Sequence, residues 1–168
     1  FNNLKINNGT FRYKIDGNAA PVDRIFDEND FAFNQINLEL KDFYLVGDSL
    51  DFKIKNLSTK EKNGLPIKRL VCKAKIHSKG MEYSEMELST KNSVIQDFLA
   101  FDYNSYRNFA YFLDSVYVRT RLENTQIATK DLTYFSYNLK PYEHNHINFT
   151  GRARGYVGNF KAKDFVLS

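Results

Sequence analysis

Histidine and cysteine are the residue types best suited to metal binding or nucleophilic attack, and this chain has three histidines and one cysteine. His144 and His146 are two positions apart, so a strand would turn both rings to one face, while His77 is remote in the sequence. Zinc needs three or four neighbouring ligands, which these histidines and Glu143 do not supply. Cys72 has no base close to it in the sequence and no second cysteine to pair with. We therefore predict no metal site, no cofactor and no cysteine nucleophile.

Other residues that could do chemistry are scattered over positions typical of a solvated surface. The acidic residues lie at polar positions and turns, and no pair stands in an apolar setting suited to acid–base catalysis. Arg152 and Arg154 lie between glycines and could contact a phosphate or a lipid headgroup. A phosphate-binding loop is followed by a helix, however, and this segment has strand-like sequence on both sides. We predict a non-enzymatic protein, with a hydrolase using dispersed carboxylates as the least favoured alternative.

The charge of the chain does not indicate a nucleic-acid partner. Lys and Arg number 24 against 20 Asp and Glu, which gives a net charge of +4 that is spread along the sequence. A nucleic-acid binder concentrates its positive charge on one face. Lys73 and Lys75 are followed by Glu82, Glu85 and Glu87, and we expect these charges to pair across neighbouring strands.

These side chains are carried by segments in which apolar and polar residues alternate. Leu50, Phe52 and Ile54 alternate with charged residues, as on a strand with one apolar and one solvated face. Such segments recur roughly every ten to twelve residues between Gly or Asn turns. The alternation slips near Asn34 and Glu85, which predicts a β-bulge at each. The predicted fold is all-β, a curved and mostly antiparallel sheet that forms a groove or a sandwich.

Three segments carry more specific predictions. Asn8-Gly9 lies between two short alternating runs and predicts a hairpin. Apolar residues spaced three and four apart predict a short helix over 105–113, and a second short helix is predicted from Thr129 to about Phe135. We treat 1–168 as one β-rich domain and, because it begins at Phe1, expect it to be a fragment of a longer protein. No apolar run reaches the roughly 18 residues of a membrane-spanning helix.

Several motifs in a fixed order resemble a known family. The motifs are Leu88–Ser93, Tyr103–Phe109, Phe112–Val116, Lys130–Phe135, Phe149–Gly151 and Gly155–Phe160. Together they are similar to the AsmA-like region of TamB, the translocation and assembly module proteins of Gram-negative bacteria, in the form found in Bacteroidetes.

The resemblance implies a function for the parent protein. Members of the family are anchored in the inner membrane, reach across the periplasm, and fold as a long curled sheet, the β-taco, whose inner face is apolar. The resemblance implies a role in outer-membrane biogenesis, through phospholipid transport and outer-membrane protein assembly, with an Omp85-type partner that the parent contacts in the outer membrane. This segment would be periplasmic and would hold phospholipid acyl chains.

The residues expected to form the wall of such a groove are the apolar members of the alternating segments. An acyl chain needs a continuous dry surface and few directional contacts, and shielding it from water contributes about 0.8 kcal/mol per CH₂. A closed core made by the same residues is the competing interpretation. The predicted groove residues are Leu38, Leu40, Leu50, Phe52, Ile54, Leu70, Ala74, Ile76, Val116, Val118, Leu122, Ile147 and Phe149.

A second function remains open at the level of sequence. An extracellular β-sandwich that binds a glycan or a protein would place aromatic side chains on its outer surface or in loops. Tyr44, Tyr117 and Tyr142 are the candidates for such a surface.

Overall fold

The computed structural model describes residues 3–27, 29–105, 107–108, 112–156 and 159–167, and these form the predicted all-β fold. One antiparallel sheet contains nine strands, and its strand order follows the chain order. The first and last strands are therefore its two edges. The strands are β1 (Asn3–Lys14), β2 (Asp30–Val46), β3 (Ser49–Glu61), β4 (Pro66–His77), β5 (Gly80–Ser89), β6 (Val94–Asp102), β7 (Tyr117–Ala128), β8 (His146–Tyr156) and β9 (Asn159–Leu167).

The helices in the described part of the chain are short. Of the predicted helix 105–113, residues 106 and 109–111 lie outside the described residues, and helix α1 spans Phe112–Ser115. The second predicted helix is confirmed at its start as α2, which spans Thr129–Leu132 and ends three residues before the predicted end at Phe135. A 3₁₀ helix follows at Tyr137–Tyr142.

The predicted hairpin at Asn8-Gly9 is wrong, because both halves belong to β1. Leu4 pairs with Leu40 and Phe11 with Phe33, so β1 runs along β2 for its whole length. The hairpin turn that favours Asn-Gly needs a positive φ at both central residues. Here only Asn8 has one, at 54°. The dipeptide forms a bulge in a continuous strand instead.

Polar residues with positive φ mark a series of bulges that bend the sheet. The predicted bulge near Asn34 is confirmed by a register shift between Asn34 and Asn37, and the one near Glu85 by a shift between Tyr83 and Met86. Each bulge increases the local twist of its strand, which curves a sheet of this length. The non-glycine residues with positive φ are Asn8, Gln35, Asp42, Glu85, Asp97 and Asn124.

The two faces of the sheet differ sharply. One face carries the cross-strand row Phe52, Ala74, Tyr83 and Leu99, and we call it the trough face. We call the opposite face the outer face. It carries the charged residues that alternate with the apolar ones along each strand. The predicted pairing on this face is confirmed for Lys73 with Glu85. Glu87 instead lies 3.7 Å from Arg69, and Lys75 has no ion pair among the described residues. Arg119 binds Asp102 at 2.7 Å and Glu82 at 3.0 Å.

These outer-face pairs predict a loss of stability in acid. The hydrogen bond from Arg121 holds the pKa of Asp97 below its usual value, and that from Lys53 does the same to the pKa of Asp42. A carboxyl group whose pKa is lower in the folded state stabilises it above the unfolded pKa of about 3.9, and that stabilisation is lost as the pH falls through the folded pKa. We expect Asp97→Asn to lower the melting temperature at neutral pH and to converge with the wild type in acid. A difference in melting temperature that stays constant from about pH 7 to about pH 2.5 would contradict this.

Candidate functional site: an apolar trough with a capped end

The trough face is a continuous apolar surface across the middle strands. Ile54, Cys72, Ala74 and Met86 form its buried centre. A second row of pairs runs from Ile76 through Met81 and Phe101 to Val118 on four consecutive strands. Half-buried residues surround the centre, namely Leu38, Leu40, Phe52, Leu57, Leu70, Tyr83, Ile95 and Leu99.

The structure brings most of the predicted groove residues to this face. Leu38, Leu40, Phe52, Ile54, Leu70 and Ala74 belong to the central cluster. Leu50 and Ile76 pair with each other two positions from that cluster. Ile147 lies opposite Ile127, and Phe149 opposite Thr125. Val116 is fully buried, but it lies just before β7 begins. The prediction that it belongs to a strand is therefore wrong.

The apolar face is only partly covered. Ile54, Ala74, Val116 and Val118 are buried, and the remaining predicted groove residues are half-buried. Within the described residues, each strand makes extensive backbone contacts with the next strand along the chain. No second sheet packs on the trough face in that part of the chain. The apolar side chains on the trough face therefore form a single layer and shield one another from water. The centre of this layer is buried, and the residues around it are half-exposed.

Cys72 reports on the sealed centre. It is 3 % exposed, and burial raises the pKa of its thiol to about 11. Only the thiolate reacts, so at pH 8 we expect iodoacetamide to modify the folded protein about 100-fold more slowly than the unfolded chain. Mass spectrometry of samples quenched over time, with and without urea, measures both rates. Equal rates in the two samples would show that the centre of the trough is open to water.

One end of the trough is capped by two segments that are distant in the sequence. Residues 15–27 and 29 lie between β1 and β2, and residues 129–145 join β7 to β8. We call these two segments together the cap. The backbone N–H groups of Ile25 and Phe26 both donate to the Tyr134 carbonyl, at 3.0 Å each. The N–H of Tyr137 donates to the carbonyl of Asp23 at 2.7 Å. These bonds join the two segments across the strands that lie between them.

Aromatic rings fill the space beneath these backbone bonds. The ring of Phe26 packs against Phe31 and Phe135, with centroids 5.8 Å apart in each pair, and against Tyr134 at 6.1 Å. Phe31 in turn packs against Tyr13 at 5.2 Å. The cap is therefore held by an aromatic cluster as well as by hydrogen bonds.

A buried carboxylate anchors the cap to the sheet. Glu61, at the end of β3, is 2 % exposed, and Tyr134 is 5 % exposed. The Tyr134 hydroxyl donates to Glu61 Oε2, which also accepts the N–H of Asn63 at 2.5 Å. Glu61 Oε1 accepts the N–H of Ala32 at 3.4 Å. Burial, together with the bond to Glu61, strongly raises the pKa of the Tyr134 hydroxyl, so this group remains a hydrogen-bond donor.

A second carboxylate ties α2 to the turn between β5 and β6. Asp131 accepts hydrogen bonds from Asn92 Nδ2 and Ser93 Oγ at 2.6 Å each, and another from Thr90 Oγ1. Ser93 Oγ also accepts the N–H of Ala128 at 3.0 Å. Two of the motifs that carry the family resemblance, Leu88–Ser93 and Lys130–Phe135, thus bind each other at the cap.

The remaining chemical candidates do not converge. Glu143 lies 3.7 Å from the largely exposed ring of His144. Among the described residues, no three His, Cys, Asp or Glu side chains are placed to hold a metal ion. The described helices are all too short or too polar to cross a membrane.

No family model, no curated protein and no solved structure matches this chain.

Proposed function

We propose that this chain is a non-enzymatic segment of a periplasmic envelope protein and that its trough face shelters phospholipid acyl chains. The observation that supports this is the half-buried apolar surround of the trough face, which includes Leu38, Phe52 and Leu70. A surface of this kind offers many weak contacts and few directional ones, which suits a flexible hydrocarbon chain. Each CH₂ transferred from water contributes about 0.8 kcal/mol.

The position of the cap gives the proposed lipid a direction. The cap occupies the end of the sheet where β1 ends and β2 begins, and its aromatic and hydrogen-bonded contacts fill the space above Glu61. An acyl chain would lie along the strands below the cap. In this proposal the cap closes one end of the trough within this segment, so lipid passage along a longer protein would require the cap to open or the lipid to go around it.

The cellular setting in the proposal comes from the family resemblance. A parent protein anchored in the inner membrane, with this segment in the periplasm and an Omp85-type partner in the outer membrane, would use the trough in phospholipid transport or outer-membrane protein assembly. Cell fractionation tests this setting. We expect an antibody to the chain to detect the parent protein in the inner-membrane fraction, and protease to digest it only after the outer membrane is permeabilised.

Photo-crosslinking tests the proposed lipid contact. Benzoylphenylalanine replaces Phe52 or Leu70 on the trough face, or Lys53 or Lys73 on the outer face as matched controls on the same strands. After irradiation with phospholipid vesicles, we expect lipid adducts at Phe52 and Leu70 and none at the lysine positions. Adducts at the lysine positions alone would contradict the proposal.

The glycan-binding alternative has less support from the geometry. Tyr44 and Tyr142 are 62 % and 57 % exposed. Tyr44 lies near the end of β2 and Tyr142 just before β8, which are opposite ends of the sheet because β2 and β8 run in the same direction. Tyr117 packs edge-on against Tyr156, with ring centroids 5.4 Å apart. The three tyrosines therefore do not form one binding platform.

A further inference from the structure

A pocket on β7, β8 and β9 lies at the end of the sheet opposite the cap. It encloses about 280 Å³ and is lined by two cationic side chains, Arg154 and Lys161, together with two tyrosines and Asn159. Arg154 and Lys161 face each other as a cross-strand pair, and both are exposed. Like charges placed directly opposite each other on a sheet are destabilising, and an anion bound between them would offset that repulsion.

The positive charge of this pocket is not matched by nearby acids, unlike that of the neighbouring strand. On β7, Arg119 is bound by Asp102 and Glu82, and Arg121 by Asp97. Arg154 on β8 lies directly opposite Arg119 on β7. It would therefore have to compete with Arg119 for Asp102 and Glu82. Among the side chains that the structure describes, neither Arg154 nor Lys161 forms an ion pair. The pocket thus brings together two cations that have no acidic partner among the described side chains.

The remaining lining supplies neutral hydrogen-bond donors. Tyr117 and Tyr156 contact each other edge-on, at an interplanar angle of 86°, and their hydroxyl groups can donate hydrogen bonds, as can the side-chain amide of Asn159. Gly155, opposite Val118, adds no side chain to the pocket. A guanidinium group beside an ammonium group, with neutral donors around them, is the donor set that binds a phosphate oxyanion.

We propose that this pocket is a binding site for a phosphate group, with Arg154 and Lys161 as its charged ligands. The phosphate belongs either to a soluble phosphate compound or to a phospholipid headgroup, since both present the same oxygens. The site lies at the end of the sheet away from the cap and is independent of the proposed lipid trough.

The first experiment uses inorganic phosphate and the whole chain. Backbone amide shifts are followed by NMR during a phosphate titration of the wild type, of R154A/K161A, and of the matched control K55A/K75A. The control removes two exposed lysines from β3 and β4 and has the same net charge. Since a hydrogen bond to a charged group accounts for about tenfold in affinity or more, we expect Kd to rise by at least about tenfold in R154A/K161A and to stay unchanged in the control.

The second experiment distinguishes the two sources of phosphate. Co-sedimentation is measured with phosphatidylcholine vesicles that contain or lack phosphatidic acid. Loss of phosphatidic-acid-dependent binding in R154A/K161A supports a headgroup ligand, whereas pocket-dependent binding of inorganic phosphate without vesicle binding supports a soluble one. The proposal is overturned if R154A/K161A binds like the wild type in both experiments, or if K55A/K75A weakens binding equally. R154Q/K161Q, which retains side-chain bulk, is expected to behave like the alanine variant.

Discussion

Replacing Glu61 with alanine is expected to lower the free energy of unfolding by about 3 kcal/mol, the largest effect of any single change considered. The substitution leaves the Asn63 N–H, the Ala32 N–H and the Tyr134 hydroxyl without their acceptor. Hydrogen bonds to a charged group each contribute about 1.5–3 kcal/mol. The total loss is smaller than their sum, because removing a buried carboxylate also removes the cost of its desolvation.

Urea denaturation followed by circular dichroism measures this loss, and two milder variants serve as controls. Tyr134→Phe removes one donor and leaves Glu61 bound to the backbone, so we expect a loss of about 1–2 kcal/mol. Glu61→Gln keeps one carbonyl acceptor and should fall between the wild type and the alanine variant. A loss below about 0.5 kcal/mol in Glu61→Ala, the range typical of surface substitutions, would show that Glu61 does not anchor the cap.

Placing a carboxylate in the trough is expected to reduce phospholipid binding by at least about tenfold. Leu99 is half-buried and lies between Tyr83 and Thr120 on the trough face. In Leu99→Asp, an acyl chain lying on this face would have to strip water from an unpaired carboxylate. Binding is measured by co-sedimentation with phosphatidylcholine vesicles, which lack net charge.

Two further variants separate this effect from loss of folding and from charge alone. Ser84→Asp adds the same charge beside Lys73, on the outer face, and is expected to bind like the wild type. Leu99→Asn adds a polar but uncharged group and should reduce binding less than Leu99→Asp. If a folded Leu99→Asp variant binds the vesicles as well as the wild type does, the trough face is not the lipid-binding site.

The sequence predicts the sheet well because the alternation of side chains follows directly from strand geometry. Leu50, Phe52 and Ile54 share a face for that reason alone, and the partner strand supplies Ile76, Ala74 and Cys72 opposite them. Each bulge reverses the alternation. Residues beyond the bulges at Glu85 and Asp97, including Met86, are therefore hard to assign to a face from the sequence.

Strand boundaries were harder to predict for the same reason. The alternation over 31–40 stops before Asp42 and resumes over 43–46, as it would for two strands. Both segments belong to one 17-residue strand, β2, because Asp42 forms a bulge and does not end the strand. Similarly, the alternation over 117–122 stops and resumes over 126–128, but both segments belong to β7, with Asn124 at the bulge. A polar residue that breaks the alternation looks the same in a sequence whether it ends a strand or bends it.

The cap could not be predicted from local sequence. Glu61 and Tyr134 are separated by 73 residues, and their contact depends on the path of the whole sheet between them. Glu61 stands in a polar run that is typical of a strand end on the surface. The one available signal was the pair of motifs Leu88–Ser93 and Lys130–Phe135, which the resemblance singled out and which the structure brings together through Asp131.

The most direct test of the trough uses the absence of tryptophan from this chain. Phe52→Trp places a single fluorophore on the trough face, and Lys53→Trp places one on the outer face of the same strand. Each variant is titrated with vesicles of phospholipid brominated on its acyl chains, because bromine quenches tryptophan only at close contact. A lipid sheltered in the trough quenches F52W and leaves K53W unchanged. Equal quenching of both, or quenching of K53W alone, would contradict the central claim that the apolar face receives the hydrocarbon.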